Sequence, residues 1–216
     1  AVKLGLIAGG GALPVMLAQR CQAAGRPLFI VRLRGMADPA LEAFEGGEAG
    51  IAELGRAIDL LKRAGCGAIC FAGMVRRPDF SALKPDLRGL KALPGAIAAA
   101  RKGDDGLLRY LVGEFESEGF VVEGAEAVDA SLTLGVGALG SVRSGREHDE
   151  DVTLALSTAR AIGALDIGQA AVVVAGLVLA VEAQEGTDAM LRRCAELPAD
   201  LRGDAVVRKG VLAKAP

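Results

Sequence analysis

The sequence predicts an α/β protein: a parallel sheet over roughly the first 125 residues, followed by a second α/β domain of different texture. Short apolar runs rich in β-formers alternate with helical periods as far as residue 125, and strands alternating with helices imply a parallel sheet with right-handed crossovers. Glycines stand where the runs hand over to helices and where the helices stop. Between Leu132 and Gly145 the glycines Gly135, Gly137, Gly140 and Gly145 crowd into a stretch that suits a linker better than a packed element. The organisation expected is therefore residues 1–125 as the first domain, 126–145 as a glycine-rich linker and 146–216 as the second domain.

Val2 to Ala8 reads as a strand, Gly9-Gly10-Gly11 as its turn and Leu13 to Ala24 as a helix closed by Gly25. Leu28 to Leu33 is a second strand, Ile51 to Ala64 an amphipathic helix ended by Gly65, and Ala68 to Ala72 a third strand ending at Gly73. Leu87 to Arg101 and Gly106 to Ser117 look helical, with Pro94 expected to break the first of them, and Phe120 to Glu123 looks like a strand. Past the linker, Glu147 to Ile162 reads as a helix stopped by Gly163. Ala170 to Ala175 and Val178 to Ala183 follow as strands, with Gly176 near their turn. Thr187 to Leu197 is a helix halted by Pro198, and Val206 to Val211 a last strand.

With 51% hydrophobic and 24% charged residues the chain has ample material for buried cores. A net charge of −2 and a pI near 5.6 argue against nucleic acid as a partner. Cys21, Cys66, Cys70 and Cys194 lack C-x-x-C spacing and are read as reduced core thiols. The uncharged run Ile167 to Val181 is shorter than the roughly 20 residues of a spanning helix, and no signal peptide is read at the start.

Chemistry concentrates between Val181 and Arg193, where an apolar strand spills Glu182, Glu185 and Asp188 over Gly186 into a helix. Thr187 or Asp188 can cap the first turn, whose free N–H groups attract anions, while the three carboxylates suit a hard cation such as Mg²⁺. A capped helix with solvated acids is the plainer reading of the same spacing. The first glycine loop invites a dinucleotide reading, but Pro14 stands where the third glycine of G-x-G-x-x-G belongs. The second strand also ends in Arg32 and Arg34 rather than an acid. What survives is a glycine turn before a helix at the carboxyl edge of a parallel sheet, equally a phosphate cradle or a tight structural turn.

Gly73-Met74-Val75-Arg76-Arg77 leaves the third strand at that same edge, where the two arginines suit a diphosphate clamp or a solvated pair. Gly103-Asp104-Asp105-Gly106 reads as a helix-capping turn before a metal site. His148, the only histidine, is expected to be exposed, and alone it supports neither a zinc site nor a serine-type triad.

Five runs, taken together, resemble the LpxI family: Leu6 to Pro14, Ala72 to Pro78, Gly103 to Arg109, Asp166 to Val173 and Val181 to Arg193, in the family's order and across nearly the whole chain. The resemblance implies a Rossmann-like N-terminal domain and a C-terminal domain of distinct fold. It implies hydrolysis of the pyrophosphate bond of UDP-2,3-diacylglucosamine to UMP and 2,3-diacylglucosamine 1-phosphate (lipid X), with Mg²⁺, in lipid A biosynthesis. A cytoplasmic enzyme peripheral to the inner membrane is implied, and a homodimer is allowed. Gly9, Gly10, Gly11, Ala12, Leu13, Gly73, Met74 and Arg76 would lie near the nucleotide, with Gln169, Thr187 and Asp188 facing them across a cleft.

Family members continue beyond the position of Pro216 with a Lys-Pro-Gln-Asp-type pattern that holds their catalytic aspartate, so no residue here inherits that role by motif. Asp188 and Glu185 are assigned on chemistry alone, as metal ligands and catalytic, water-positioning groups. If these 216 residues are the entire polypeptide, substrate binding with little turnover is expected; if they are a fragment, the enzyme assignment stands. Two other classes remain in view: a noncatalytic nucleotide or nucleotide-sugar binding module, and a nucleotide-dependent oxidoreductase, which Pro14, Arg32 and Arg34 disfavour.

Overall fold

The run Leu4-Gly5-Leu6-Ile7-Ala8 becomes β1 (Leu4–Ala8), buried at every position, as a strand with elements packed on both its faces must be. In the computed structural model, which describes residues 1–75, 83–101, 104–137, 139–141 and 144–215, the chain forms two compact units, Ala1–Gly135 and Val136–Pro216. The first continues with α1 (Leu13–Ala23), β2 (Leu28–Leu33), a 3₁₀ turn over Pro39–Ala43 and β3 (Gly46–Ala49). Then come α2 (Leu54–Arg63), β4 (Ala68–Ala72), α3 (Leu87–Ala100), α4 (Asp104–Glu116), β5 (Val121–Val122) and α5 (Ala125–Val128).

The sheet order is β3-β2-β1-β4-β5 and every pairing is parallel. The chain steps outward from β1 to β3, then crosses to the other side of β1, which puts the switch point between β1 and β4. Alternation splits the apolar residues of β1 between two cores. Leu4, Leu6 and Ala8 pack with Leu17, Ala18 and Cys21 of α1 and Leu41 of the 3₁₀ turn. Ile7 packs with Ile58 and Leu61 of α2 and Phe115 of α4. Gly5 leaves room for that second layer, since a Cβ there would lie 2.2 Å from Leu61 Cδ2.

Three features of the first unit depart from the sequence reading. Gly46-Gly47-Glu48-Ala49 carries little β-propensity, yet it pairs in parallel with β2 as β3, and a Cβ on Gly46 would come within 2.2 Å of the Ile30 carbonyl oxygen. Glycine is what the strand spacing admits there. Pro94 sits inside α3 without breaking it: Leu90 and Pro94 are both exposed, so the hydrogen bond the proline cannot make is lost where water replaces it. The segment expected to open a linker is helical at α5, and its Ala125 and Val128 pack on the α1 side of the sheet.

In the second unit a 3₁₀ turn, Arg146–His148, leads into α6 (Asp149–Ala164), which runs through Gly163. His148 is half-buried rather than exposed. β6 (Ala170–Val174), β7 (Leu177–Val181), α7 (Thr187–Ala195), α8 (Ala199–Arg202) and β8 (Val211–Lys214) complete the unit. The sheet is antiparallel, in the order β7-β6-β8. α6 covers one face with Ala155 and Ala159 against Val173, Ala171, Ala213 and Ala215. α7 covers the other with Met190 and Cys194 against Ala170 and Ala180.

The β6–β7 hairpin turns on Ala175 (φ 47°) and Gly176 (φ 77°), the paired positive angles of a tight two-residue turn. Asp151 of α6 holds it, accepting from Ala175 N at 2.8 Å and Gly176 N at 2.7 Å. The strand expected at Val206 to Val211 begins only at Val211. Asp204 Oδ1 accepts from Val206 N and Val207 N at 2.8 and 2.7 Å, and this side-chain turn competes with strand pairing.

Candidate functional site

At the switch point the two predicted glycine loops meet. Gly10 N donates to the Met74 carbonyl at 2.9 Å and Met74 N to the Gly10 carbonyl at 2.8 Å, while Gly9 N donates to the Ala72 carbonyl at 2.8 Å. The loops fit only as glycines: a Cβ on Gly9 would stand 2.7 Å from the Met74 carbonyl oxygen, and one on Gly73 (φ 92°) 2.6 Å from that of Gly10. The amides of Gly9 and Gly10 are spent on these backbone partners, so at these two residues the loop is the tight structural turn rather than the phosphate cradle.

The amides of Gly11, Ala12 and Leu13 donate to no partner among the described residues. α1 opens at Ala12 with no side-chain cap and no acid in its first turn, and Pro14 brings no N–H. Three consecutive N–H groups at the positive end of a helix can receive an anion. Beside them Met74 is exposed. Arg76 and Arg77 lie outside the described residues. Arg32 donates to the carbonyls of Leu41 and Phe44 and Arg34 pairs with Glu53, so the end of β2 serves packing.

In the second unit Gln169, Glu182 and Thr187 are brought together. Glu182 is buried. It accepts from the Thr187 hydroxyl at 2.7 Å and from the Gln169 backbone N–H at 3.3 Å. Lys214 Nζ donates to the same hydroxyl at 2.9 Å. Lysine, hydroxyl and carboxylate thus form a directed chain in which each donor has its acceptor, and the buried acid is balanced by a cation one residue away. Lys214 was missed by the sequence reading because only the pairing of Ala170 with Lys214 across β6 and β8 delivers it. The Gln169 side chain remains exposed.

The three carboxylates of the 181–193 segment do not gather around one point. Glu182 turns inward, while Glu185 pairs with Arg193 Nη2 at 2.8 Å. Its backbone N–H and the Arg193 guanidinium hold its carboxyl below the usual carboxylate range. Asp188 is exposed on the first turn of α7. Among the described residues no group of three or more His, Cys, Asp or Glu is placed to hold a metal ion. Neither Thr187 nor Asp188 caps the helix: the N-cap is Gly186 (φ 80°), with no side-chain cap, because Thr187 spends its hydroxyl on Glu182. Asp104 and Asp105 lie where no side chain is described.

A family profile described as the LpxI N-terminal domain matches residues 3–132, and one described as the LpxI C-terminal domain matches residues 135–216. The UDP-2,3-diacylglucosamine pyrophosphatase LpxI of Caulobacter vibrioides is 61% identical over 214 residues, which span 99% of this chain and 76% of that protein. Solved structures share far less. The biotin carboxylase subunit of a pyruvate carboxylase is 14% identical, with 98% of this chain and 44% of that one covered and a TM-score of 0.32. N5-carboxyaminoimidazole synthetase of Staphylococcus aureus is 14% identical, with 100% and 47% covered and a TM-score of 0.32. The chain spans less than half the length of either structure, and likeness at this level bears no argument.

Proposed function

The chain belongs to the LpxI family, and from that premise we propose that it hydrolyses the pyrophosphate bond of UDP-2,3-diacylglucosamine, giving UMP and 2,3-diacylglucosamine 1-phosphate. The observation that carries this reading is the match to a pyrophosphatase at 61% identity along 99% of the chain. In the reaction the oxygen of a water joins one phosphorus, the bond from that phosphorus to the bridging oxygen breaks, and the bridging oxygen leaves on the second phosphate. The charge that develops on the phosphate oxygens must be met by donors already in place.

The amides of Gly11, Ala12 and Leu13 are the proposed donors to one phosphate, with Gly9, Gly10, Gly73 and Met74 shaping the loop that presents them. Arg76 is proposed to pair with the diphosphate, as a guanidinium does. Gln169 and Thr187 are proposed substrate contacts, Thr187 held in place by Glu182 and Lys214. Mg²⁺ is proposed to bind at Asp188, whose carboxylate is exposed and lies outside the Glu185–Arg193 pair. Glu182 and Glu185 do not fit as ligands. Mg²⁺ is commonly held by one or two carboxylates, water and substrate phosphates, so one protein ligand suffices, and the ion would neutralise charge on the diphosphate. The proposed setting is the cytoplasm at the inner-membrane face, and no helix among the described residues is long and apolar enough to cross a membrane.

Incubating the complete protein with UDP-2,3-diacylglucosamine and Mg²⁺ tests the proposal: UMP release is expected. Saturable binding with no UMP would replace it with a noncatalytic nucleotide-sugar module.

A further inference from the structure

One side of α3 is apolar and open to solvent. Leu87 is 84% and Leu90 57% exposed, and Pro94 and Ala98, spaced along the same side, are exposed as well. A helix on a protein surface normally shows polar residues there. The charged residues that share this side are cations: Lys91 and Arg101 are exposed on it, and Lys84 is exposed just ahead of the helix. The helix Leu-Arg-Gly-Leu-Lys-Ala-Leu-Pro-Gly-Ala-Ile-Ala-Ala-Ala contains no acid. Asp86, at its start, is turned onto the backbone, accepting from Gly89 N at 2.7 Å and Arg56 N at 2.8 Å. Arg88, on the flank toward α4, is matched by Glu114 and Glu118. Lys91 and Arg101 have no carboxylate partner among the described residues.

Leucines flanked by lysine and arginine on one side of a surface helix are the pattern of an element that lies in a membrane interface, with the apolar chains below the head groups and the cations among anionic phosphates. We propose that α3 docks this protein on an anionic lipid surface through Leu87, Leu90, Lys91 and Arg101. The inference rests on the reading that the substrate is a diacylated lipid. A second copy of the chain is the poorer occupant, because a two-fold contact through this side brings together two patches whose charges, Lys91 and Arg101, have the same sign.

Sedimentation with vesicles of phosphatidylglycerol and phosphatidylcholine, compared with phosphatidylcholine alone, tests the surface. Binding to the anionic vesicles is expected. Leu87→Asp combined with Leu90→Asp should lower it at least tenfold, and Lys91→Glu should lower it with the anionic vesicles alone. The double variant should hydrolyse detergent-dispersed substrate as the parent does and lose rate on vesicle-embedded substrate. Parent-like sedimentation of the double variant overturns the proposal, as does failure of the parent to bind anionic vesicles. A change in oligomeric size in gel filtration without a change in vesicle binding assigns the side to self-association and overturns it too. Failure of the parent to cleave dispersed substrate defeats the proposed activity, while the vesicle comparison still decides the docking surface.

Discussion

Replacing Gly73 with alanine tests the physical claim that the two glycine loops are locked at the switch point. Gly73 has φ 92°, and a Cβ there would lie 2.6 Å from the Gly10 carbonyl oxygen and 2.8 Å from Pro14 Cγ. The positive φ alone costs about 1–2 kcal/mol for an L-residue with a side chain. Relieving the overlap means moving Gly10 away, which breaks the two hydrogen bonds between Gly10 and Met74, worth about 1 kcal/mol each. The sum is about 3–4 kcal/mol, which lowers the melting temperature of the first unit by roughly 10 °C. Gly11→Ala is the matched control. Gly11 has nearly the same φ, 90°, but nothing within 4 Å of its virtual Cβ, so it should lose only the conformational share, about 1–2 kcal/mol. Thermal unfolding followed by circular dichroism separates the two. Equal losses in both variants would refute the argument, since only the contact with Gly10 and Pro14 distinguishes them.

Asp188→Ala should lower Mg²⁺-dependent turnover at least tenfold, about 1.4 kcal/mol of barrier, while Arg76→Ala should act mainly on KM; parent-like kinetics in either variant removes that residue from the site. Asp151→Ala frees the Ala175 and Gly176 amides and should cost about 2–3 kcal/mol in urea unfolding, because it removes hydrogen bonds to a charged acceptor; a loss below about 0.5 kcal/mol would show that water replaces the clamp. Burial pushes the Cys70 thiol up to about 11 from an ordinary value of 9. Between those pH values the unfolded chain sheds a proton that the folded one keeps, so stability should fall as pH rises from 9 to 11, by on the order of 2 kcal/mol. A Cys70→Ser variant with the same alkaline decline would assign it to other groups.

The elements legible in the sequence were those whose own side chains determine them. β1 and β4 are apolar runs that end at glycines, β2 is apolar as far as Arg32, and α1 is a periodic segment ended at Gly25 (φ 65°). Reading both glycine loops to one sheet edge needed only the rule that parallel strands end at the same side, and the Gly10–Met74 bridge is its outcome. β3 escaped notice because its glycines serve the neighbouring strand: the steric demand comes from Ile30, far away in sequence. Pro94 misled for the opposite reason, since its local rule assumes that the lost hydrogen bond matters, and at an exposed position it does not.

The acidic segment shows where local reading stops. Three carboxylates and a glycine ahead of a helix are visible from Glu182 to Asp188 alone. Their division into an inward acid bonded to Thr187, an acid paired with Arg193 and a free one on the helix start is not. Spacing determines which residues are neighbours along the backbone, whereas a carboxylate's partner is whichever donor the fold delivers. For Glu182 and Thr187 that donor set includes Lys214, carried over by an antiparallel strand. Hydrophobic period and glycine placement are local properties, so the sequence by itself determined the parallel sheet of the first unit, most of its strands and helices, and the shared edge of its glycine loops. Charge pairing, free amides and the exposed side of α3 depend on groups distant in the chain, and only the tertiary structure decided them.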